Sequence, residues 1–217
     1  MKKSTFTWFA LFFLVAITTR LPYSATAQAV LDTDGVPLVN GGKYYILPFN
    51  KGGGGIGLVQ TGTDTCPLTI AQSPDEDSDG IPVTISSPNK IFVIKQRHPL
   101  ELKFSDTDLP SCTPTPAKWN VVEDELSAEG FSSIKVTNDS EKEPGWFNIR
   151  SIRVAPKSYK LVFRSPDNAT ENIGFYIDNN KTRRVVVTKN KIFPLVVQFK
   201  SAATGKLKKI LGSSAAA

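Results

Sequence analysis

The feature that most constrains this chain is the absence of a helical stripe. No segment keeps apolar residues at helical spacing for ten residues. The apolar residues fall instead into about a dozen short runs rich in β-branched and aromatic side chains. They are "KYYILPF" (43–49), "CPLTIAQ" (66–72), "IPVTIS" (81–86), "KIFVIK" (90–95), "LELKF" (100–104), "WNVV" (119–122), "SIKVT" (133–137), "WFNIRSIRV" (146–154), "YKLVF" (159–163), "NIGFYID" (172–178), "RRVVVTK" (183–189) and "FPLVVQFK" (193–200). Turn-forming stretches such as "NGG", "NKGGGG", "SPDEDSDG" and "PSCTPTP" separate them. The pattern predicts an all-β domain with loops, not linkers, between its strands.

A faint repeat narrows the architecture. "HPLELKF" (98–104) and "KSYKLVF" (157–163) share a pattern 59 residues apart, and "GKYYILPF" (42–49) lies 56 before the first. Three units of four strands suit a β-trefoil of about twelve strands, whose barrel closure removes exposed edges. An immunoglobulin-like sandwich is the rival, and it would need two or three domains with repeated Cys and Trp markers.

Residues 1–27 are different material. Lys2 and Lys3 precede the apolar run "TFTWFALFFLVAITT", a polar break "RLPYS" and the small-residue site "ATA". This is the plan of a secretory signal peptide cleaved near Ala27, and no later segment is apolar enough to span a bilayer. The expected division is 1–27 signal, 28–200 trefoil domain and 201–217 flexible tail. That tail, "GKLKKILGSSAAA" from 205, reads as a frayed terminus, with a sorting or membrane-touching segment as the alternative. Removing the signal takes three positive charges from the formal +6 and leaves +3. So small a surplus is no nucleic-acid footprint, and stable membrane insertion after signal removal is not expected. The expected location is the secretory pathway, extracellular or vacuolar.

Secretion permits disulfides, and Cys66 and Cys112 are the only cysteines, so they are expected to pair. With one His beside them, a metal site is disfavoured, and no cofactor is expected. Three N-x-S/T sequons, at Asn138, Asn168 and Asn180, predict surface turns and candidate glycan acceptors. Catalysis has little to work with. His98 is the lone histidine, and a structural or surface role suits it better than one in a triad. The acidic runs "PDEDSDG" (74–80) and "VEDE" (122–125) read as solvated loops, and the first fails the calcium-loop pattern because no Glu follows at the bidentate position. The run from Gly52 to Gly55 lacks a following Gly-Lys-Ser/Thr and reads as a flexible hairpin tip.

Lys90 is the remaining anomaly, a charge placed between "SSPN" and "IFVI". Pro88 fixes its own φ and holds Ser87 extended, which describes a stiff loop running into a strand near Phe92. Two readings stay open: a solvated strand-end lysine, which the pattern alone favours, or a basic side chain offered to an enzyme with an aspartate at the base of a deep slot.

The ordered blocks "VLDTDGVPLVNGGKYYILP" (30–48), "CPLTIAQS" (66–73), "ISSPNKIFVI" (85–94), "HPLELKF", "KWNVVED" (118–124), "GWFNI" (145–149), "YKLVF", "RRVVVTKN" (183–190) and "PLVVQF" (194–199) resemble the plant Kunitz inhibitors of the soybean trypsin inhibitor type. The resemblance spans nearly all of residues 28–200 and implies a monomeric β-trefoil without enzymatic activity. Its expected partner is a trypsin-like serine protease. It implies a reactive bond between Lys90 and Ile91, flanked in the loop by Ser86, Ser87, Pro88, Asn89 and Phe92. It implies that Asn40 props the loop by hydrogen bonds to loop carbonyls, and it matches Cys66–Cys112 to the family's first disulfide. The chain departs from the pattern at Arg164, which stands where a second disulfide would begin, so the loop after it is expected to be held by packing alone, with a glycan on Asn168 as a further support. Asn89 replaces an aromatic residue. The rival functions within this resemblance are a storage or defence protein with weak or different inhibition (of subtilisin, cysteine or aspartic proteases, or amylase) and a carbohydrate-binding trefoil.

Overall fold

The structure is a computed structural model, and it describes residues 27–49, 52–62, 64–66, 68–106, 109–137, 143–188 and 194–203. Apart from Ala27, the expected signal peptide lies outside the described residues, as do Asn138 and the tail from 204 onward.

Twelve strands carry the described chain: β1 (Gly42–Pro48), β2 (Ile56–Val59), β3 (Thr69–Gln72), β4 (Val83–Ser86), β5 (Glu101–Phe104), β6 (Trp119–Val122), β7 (Phe131–Val136), β8 (Trp146–Ser151), β9 (Tyr159–Arg164), β10 (Thr170–Ile177), β11 (Arg183–Thr188) and β12 (Val196–Ser201). They form three successive units of four. In each unit the first and last strands pair, β1 with β4 and β9 with β12 through ladders, and β5 with β8 through the bridge Leu100↔Phe147. Between units, β4 pairs β5, β8 pairs β9 and β12 pairs β1. These pairings close a six-stranded barrel. The middle strands form three hairpins, β2–β3, β6–β7 and β10–β11, which meet where β3, β7 and β11 pair with one another. The fold is therefore a β-trefoil.

The interior follows from alternation along each strand. Tyr44 and Ile46, Leu102 and Phe104, Leu161 and Phe163 are buried at matching positions of the three first strands. Val83 and Ile85, Phe147 and Ile149, Val197 and Phe199 do the same on the last strands. Phe104, Trp119, Phe147 and Phe163 form a tilted or edge-on chain with centroids 5.3, 6.3 and 5.6 Å apart, geometry that aromatic rings favour.

Several expectations need correction. The run 90–95 forms no strand, only the single bridges Val39↔Val93 and Ala29↔Lys95. The apolar residues there alternate because Ile94 enters the core while Phe92 stays 65% exposed, not because a ladder runs through them. Conversely, β2 was not among the expected strands. Its four residues follow the glycine run, which is not a free tip. Gly54 N–H donates to Ser73 O and Gly55 N–H to Ser78 O, at 2.9 and 2.7 Å. A Cβ on Gly54 would collide with the Asp75 and Ser78 carbonyls, and one on Gly55 with that of Asp79. The glycines are needed so that the backbone of 75–80 can lie directly on them.

The run "VEDE" is not simply solvated. Asp124 caps a short 3-10 helix, Glu125–Glu129, by accepting from Leu126 N–H at 3.1 Å. It also pairs with Lys135 at 3.2 Å and with the buried Arg184 at 3.3 Å. Burial pushes its carboxyl up, but the hydrogen bonds from Ser133 and Leu126 and the Lys135 ammonium outweigh that and hold it below the usual carboxylate range. The loop after Arg164 is held by hydrogen bonds, not packing alone. Ser165 N–H donates to Ala169 O, Asn168 N–H to Ser165 O and Ala169 N–H to the Asp167 carboxylate. This tight β9–β10 connection places Asn168 at φ 66°, a conformation asparagine tolerates.

Candidate functional site

The loop that joins β4 to β5 begins where Ser87 leaves the core. Ser87 is buried, whereas Pro88, Asn89 and Lys90 are exposed. Ile91 is half-buried, and Ile94 is fully buried again. The bulge therefore has two inward anchors and a three-residue exposed crest. Within it, Asn89 N–H donates to Ser87 Oγ at 3.3 Å and Ile91 N–H to Asn89 O at 2.8 Å, a tight turn centred on Lys90. Among the described residues the Lys90 ammonium has no ion pair.

The crest is fixed from beneath by the turn that opens β1. In "VNGG", Gly42 N–H donates to Val39 O at 3.0 Å, and Gly41 takes φ 78°, the value that such a turn requires at its third residue. Tyr44 braces this turn: its hydroxyl accepts from Val39 N–H at 2.8 Å. Burial raises the Tyr44 phenol above its ordinary range, so the hydroxyl keeps its proton under all physiological conditions.

The turn aims Asn40 at the loop. Its carboxamide Oδ1 accepts from Ser87 N–H at 2.8 Å, and its Nδ2 donates to Ile91 O at 3.0 Å. Its own backbone N–H donates to Phe92 O at 2.9 Å, and Gly41 N–H donates to Ile85 O at 2.8 Å. One asparagine thus grips both feet of the crest. Its side-chain partners are one amide and one carbonyl, where the resemblance implied carbonyls alone. Replacing Asn40 with Ala should raise the rate at which added trypsin cuts the chain after Lys90 by about tenfold, the worth of one or two hydrogen bonds that hold the loop in shape. Mass spectrometry of the cut chain would read the effect, and an unchanged cutting rate would remove Asn40 from this role.

The remaining expected residues are dispersed. Cys66 and Cys112 form a disulfide with Cα atoms 6.0 Å apart and a sequence separation of 46. The loop 86–92 lies inside the ring of chain that it closes. Phe92 projects beside the crest, 65% exposed. Ser86 ends β4 opposite Glu101. Asn168 and Asn180 both sit on exposed turns, far in sequence from the loop. His98 has no cluster of ligating groups around it among the described residues, where no group of three His, Cys, Asp or Glu could hold a metal. Also among those residues, no helix is long and apolar enough to cross a membrane.

Comparison with known proteins places this geometry in context. A family model described as trypsin and protease inhibitor, the legume Kunitz type, matches residues 30–201. A Kunitz-type trypsin inhibitor of Glycine max is 45% identical over 204 residues, covering 92% of this chain and 96% of the relative. Trypsin inhibitor A of the same plant is 44% identical over 203 residues, covering 91% of each. Among solved structures, the soybean trypsin inhibitor in complex with porcine pancreatic trypsin aligns with a TM-score of 0.73 at 42% identity, over 81% of this chain and 100% of that one.

Proposed function

The chain belongs to the legume Kunitz family of trypsin and protease inhibitors, and from that premise we propose that it inhibits trypsin-like serine proteases by presenting the bond between Lys90 and Ile91 as a substrate would. Its family and its named relatives are inhibitors, not enzymes. A matching inhibitor was solved bound to porcine trypsin, which supports the same class of partner here.

The observation that carries the reading is the double grip of Asn40. An ordinary substrate loop pays entropy on docking and separates after cutting. This loop is already shaped, so docking costs it less. Lys90 offers an ammonium that makes no ion pair among the described residues, on a long stem, to a carboxylate at the base of a protease pocket. If the bond is cut, the acyl fragment remains attached through Ser87 N–H to Asn40 Oδ1. The new amine fragment remains attached through Ile91 O to Asn40 Nδ2. Amine and acyl carbon stay in register, and the reverse reaction competes with release. The disulfide ring keeps the two pieces covalently joined in any case. An interface of about 800 Å² per partner would complete the binding.

Titration of bovine trypsin with the purified secreted chain tests this. The expected curve is near-stoichiometric, with slow accumulation of chain cut after Lys90. Rapid digestion would favour a storage role, and cutting elsewhere would reassign the site. Entry into the secretory pathway, and delivery to the apoplast or vacuole, fit the amino-terminal segment and belong to this proposal.

A further inference from the structure

Among the described residues, four cations share one outer face of the barrel, and the ion pairs found there involve none of them. On β8 and β9 the register sets Trp146 opposite Arg164, Asn148 opposite Val162 and Arg150 opposite Lys160. Alternation puts Asn148, Arg150, Lys160 and Arg164 on the same face. Arg97 joins them, because its N–H donates to Ile149 O at 2.9 Å and lays its chain beside Arg150. Arg150 is held in place by neutral groups: Nε donates to Asn148 Oδ1 at 3.3 Å and Nη2 to Thr170 Oγ1 at 3.2 Å. Lys160 donates to Asn172 Oδ1 at 3.2 Å. Among the described residues, the ion pairs are made by Lys135, Arg184 and Lys200, none by these four cations.

Two donors in this face are orphaned. Asn148 is wholly buried, yet its Nδ2 has no partner, and neither has the buried Nε of Arg164. A buried donor without an acceptor is costly, and so is a cluster of like charges. Burial, then the neighbouring charges of Arg97 and Arg164, lower the proton affinity of Arg150 below the ordinary arginine range. Every unfilled group here is a donor or a cation. An anionic acceptor is the partner that suits the cations of this set.

We propose that the Arg97, Arg150 and Arg164 cluster, with Lys160 at its edge, is a binding site for a tetrahedral oxyanion, a sulfate or phosphate group. Guanidinium forks match the several acceptor oxygens of such a group, which a single carboxylate could not share among three arginines. Arg164 also stands where the family resemblance leads one to expect a cysteine, so the site belongs to this chain's own departure from that pattern. The site lies apart from the Lys90 crest in sequence and does not depend on inhibition.

The test follows the arginine Nε–H resonances of the purified chain during titration with sodium phosphate and sodium sulfate, against sodium chloride at equal ionic strength. The Arg150 and Arg164 signals should shift and saturate with a dissociation constant on the order of 1 mM, as a few charge-assisted hydrogen bonds on a half-exposed face would give. Arg150→Gln and Arg164→Gln should each weaken this about tenfold while trypsin inhibition stays at the parent level, which reports that the variants are folded. Dextran sulfate distinguishes the sources: much tighter binding per sulfate than the free ion favours an ester-bearing polymer, and equal binding favours the free anion. Shifts no larger than those caused by chloride, with every oxyanion probe, would overturn the site.

Discussion

Replacing Lys90 with Ala should cost about 4 kcal/mol of trypsin binding, roughly a 10³-fold weaker inhibition, and leave the melting temperature unchanged. The separation of the two effects follows from the loop. Lys90 is exposed and its ammonium has no ion pair among the described residues, so the fold loses no contact with it. Surface substitutions of that kind usually stay within about 0.5 kcal/mol of neutral. In the complex the same ammonium would be desolvated against a carboxylate, which is where hot-spot energies arise. Lys90→Arg should retain tight inhibition, because the charge is kept. Inhibition constants for the three chains, with thermal melts beside them, decide the matter. Equal inhibition by the Ala variant would place the specificity residue elsewhere.

The second large effect concerns the ring. Replacing Cys66 and Cys112 together with Ser should lower stability by about 4 kcal/mol, the chain-entropy estimate for a closed loop of this size. For a domain of this length that is a fall of roughly 8–16 °C in melting temperature. The binding consequence differs from that of Lys90→Ala. The intact variant should inhibit nearly as well as the parent at 25 °C, since Asn40 still shapes the crest. Once cut after Lys90, however, nothing covalent joins its halves, and the cut form should unfold at lower urea than the cut parent. Urea melts of cut and uncut chains, with and without the disulfide, give a complete cycle. Identical midpoints for the two cut forms would show that barrel ladders alone hold the nick together.

Much of the barrel was legible because its strands announce themselves locally. "LELKF" and "YKLVF" carry the alternation that buries Leu102, Phe104, Leu161 and Phe163, and their spacing gave the threefold plan. What failed was what depends on remote backbone. The glycines before β2 looked idle because their partners, the carbonyls of 75–80, are not side chains and leave no trace in composition. The run 90–95 looked like a strand because Ile94 serves the core, although its neighbours pair only at single bridges. At the site, the Lys90 crest was readable through its proline and through family blocks, and Asn40 through the blocks alone. Nothing local says that a carboxamide near residue 40 reaches 47 and 51 residues ahead. The arginine face was invisible for the same reason: Arg97, Arg150 and Arg164 become neighbours only once β8 has paired with β9 and Arg97 N–H has bonded to Ile149 O.

The grip of Asn40 has a consequence for how such a molecule can diversify. It holds an amide of Ser87 and a carbonyl of Ile91, groups that every residue other than proline carries. No side chain from 88 to 90 takes part in it. Beyond Pro88, the side chains at 89 and 90 can therefore change without loosening this grip, so that lineages or protein engineers can exchange the target while the scaffold stays fixed.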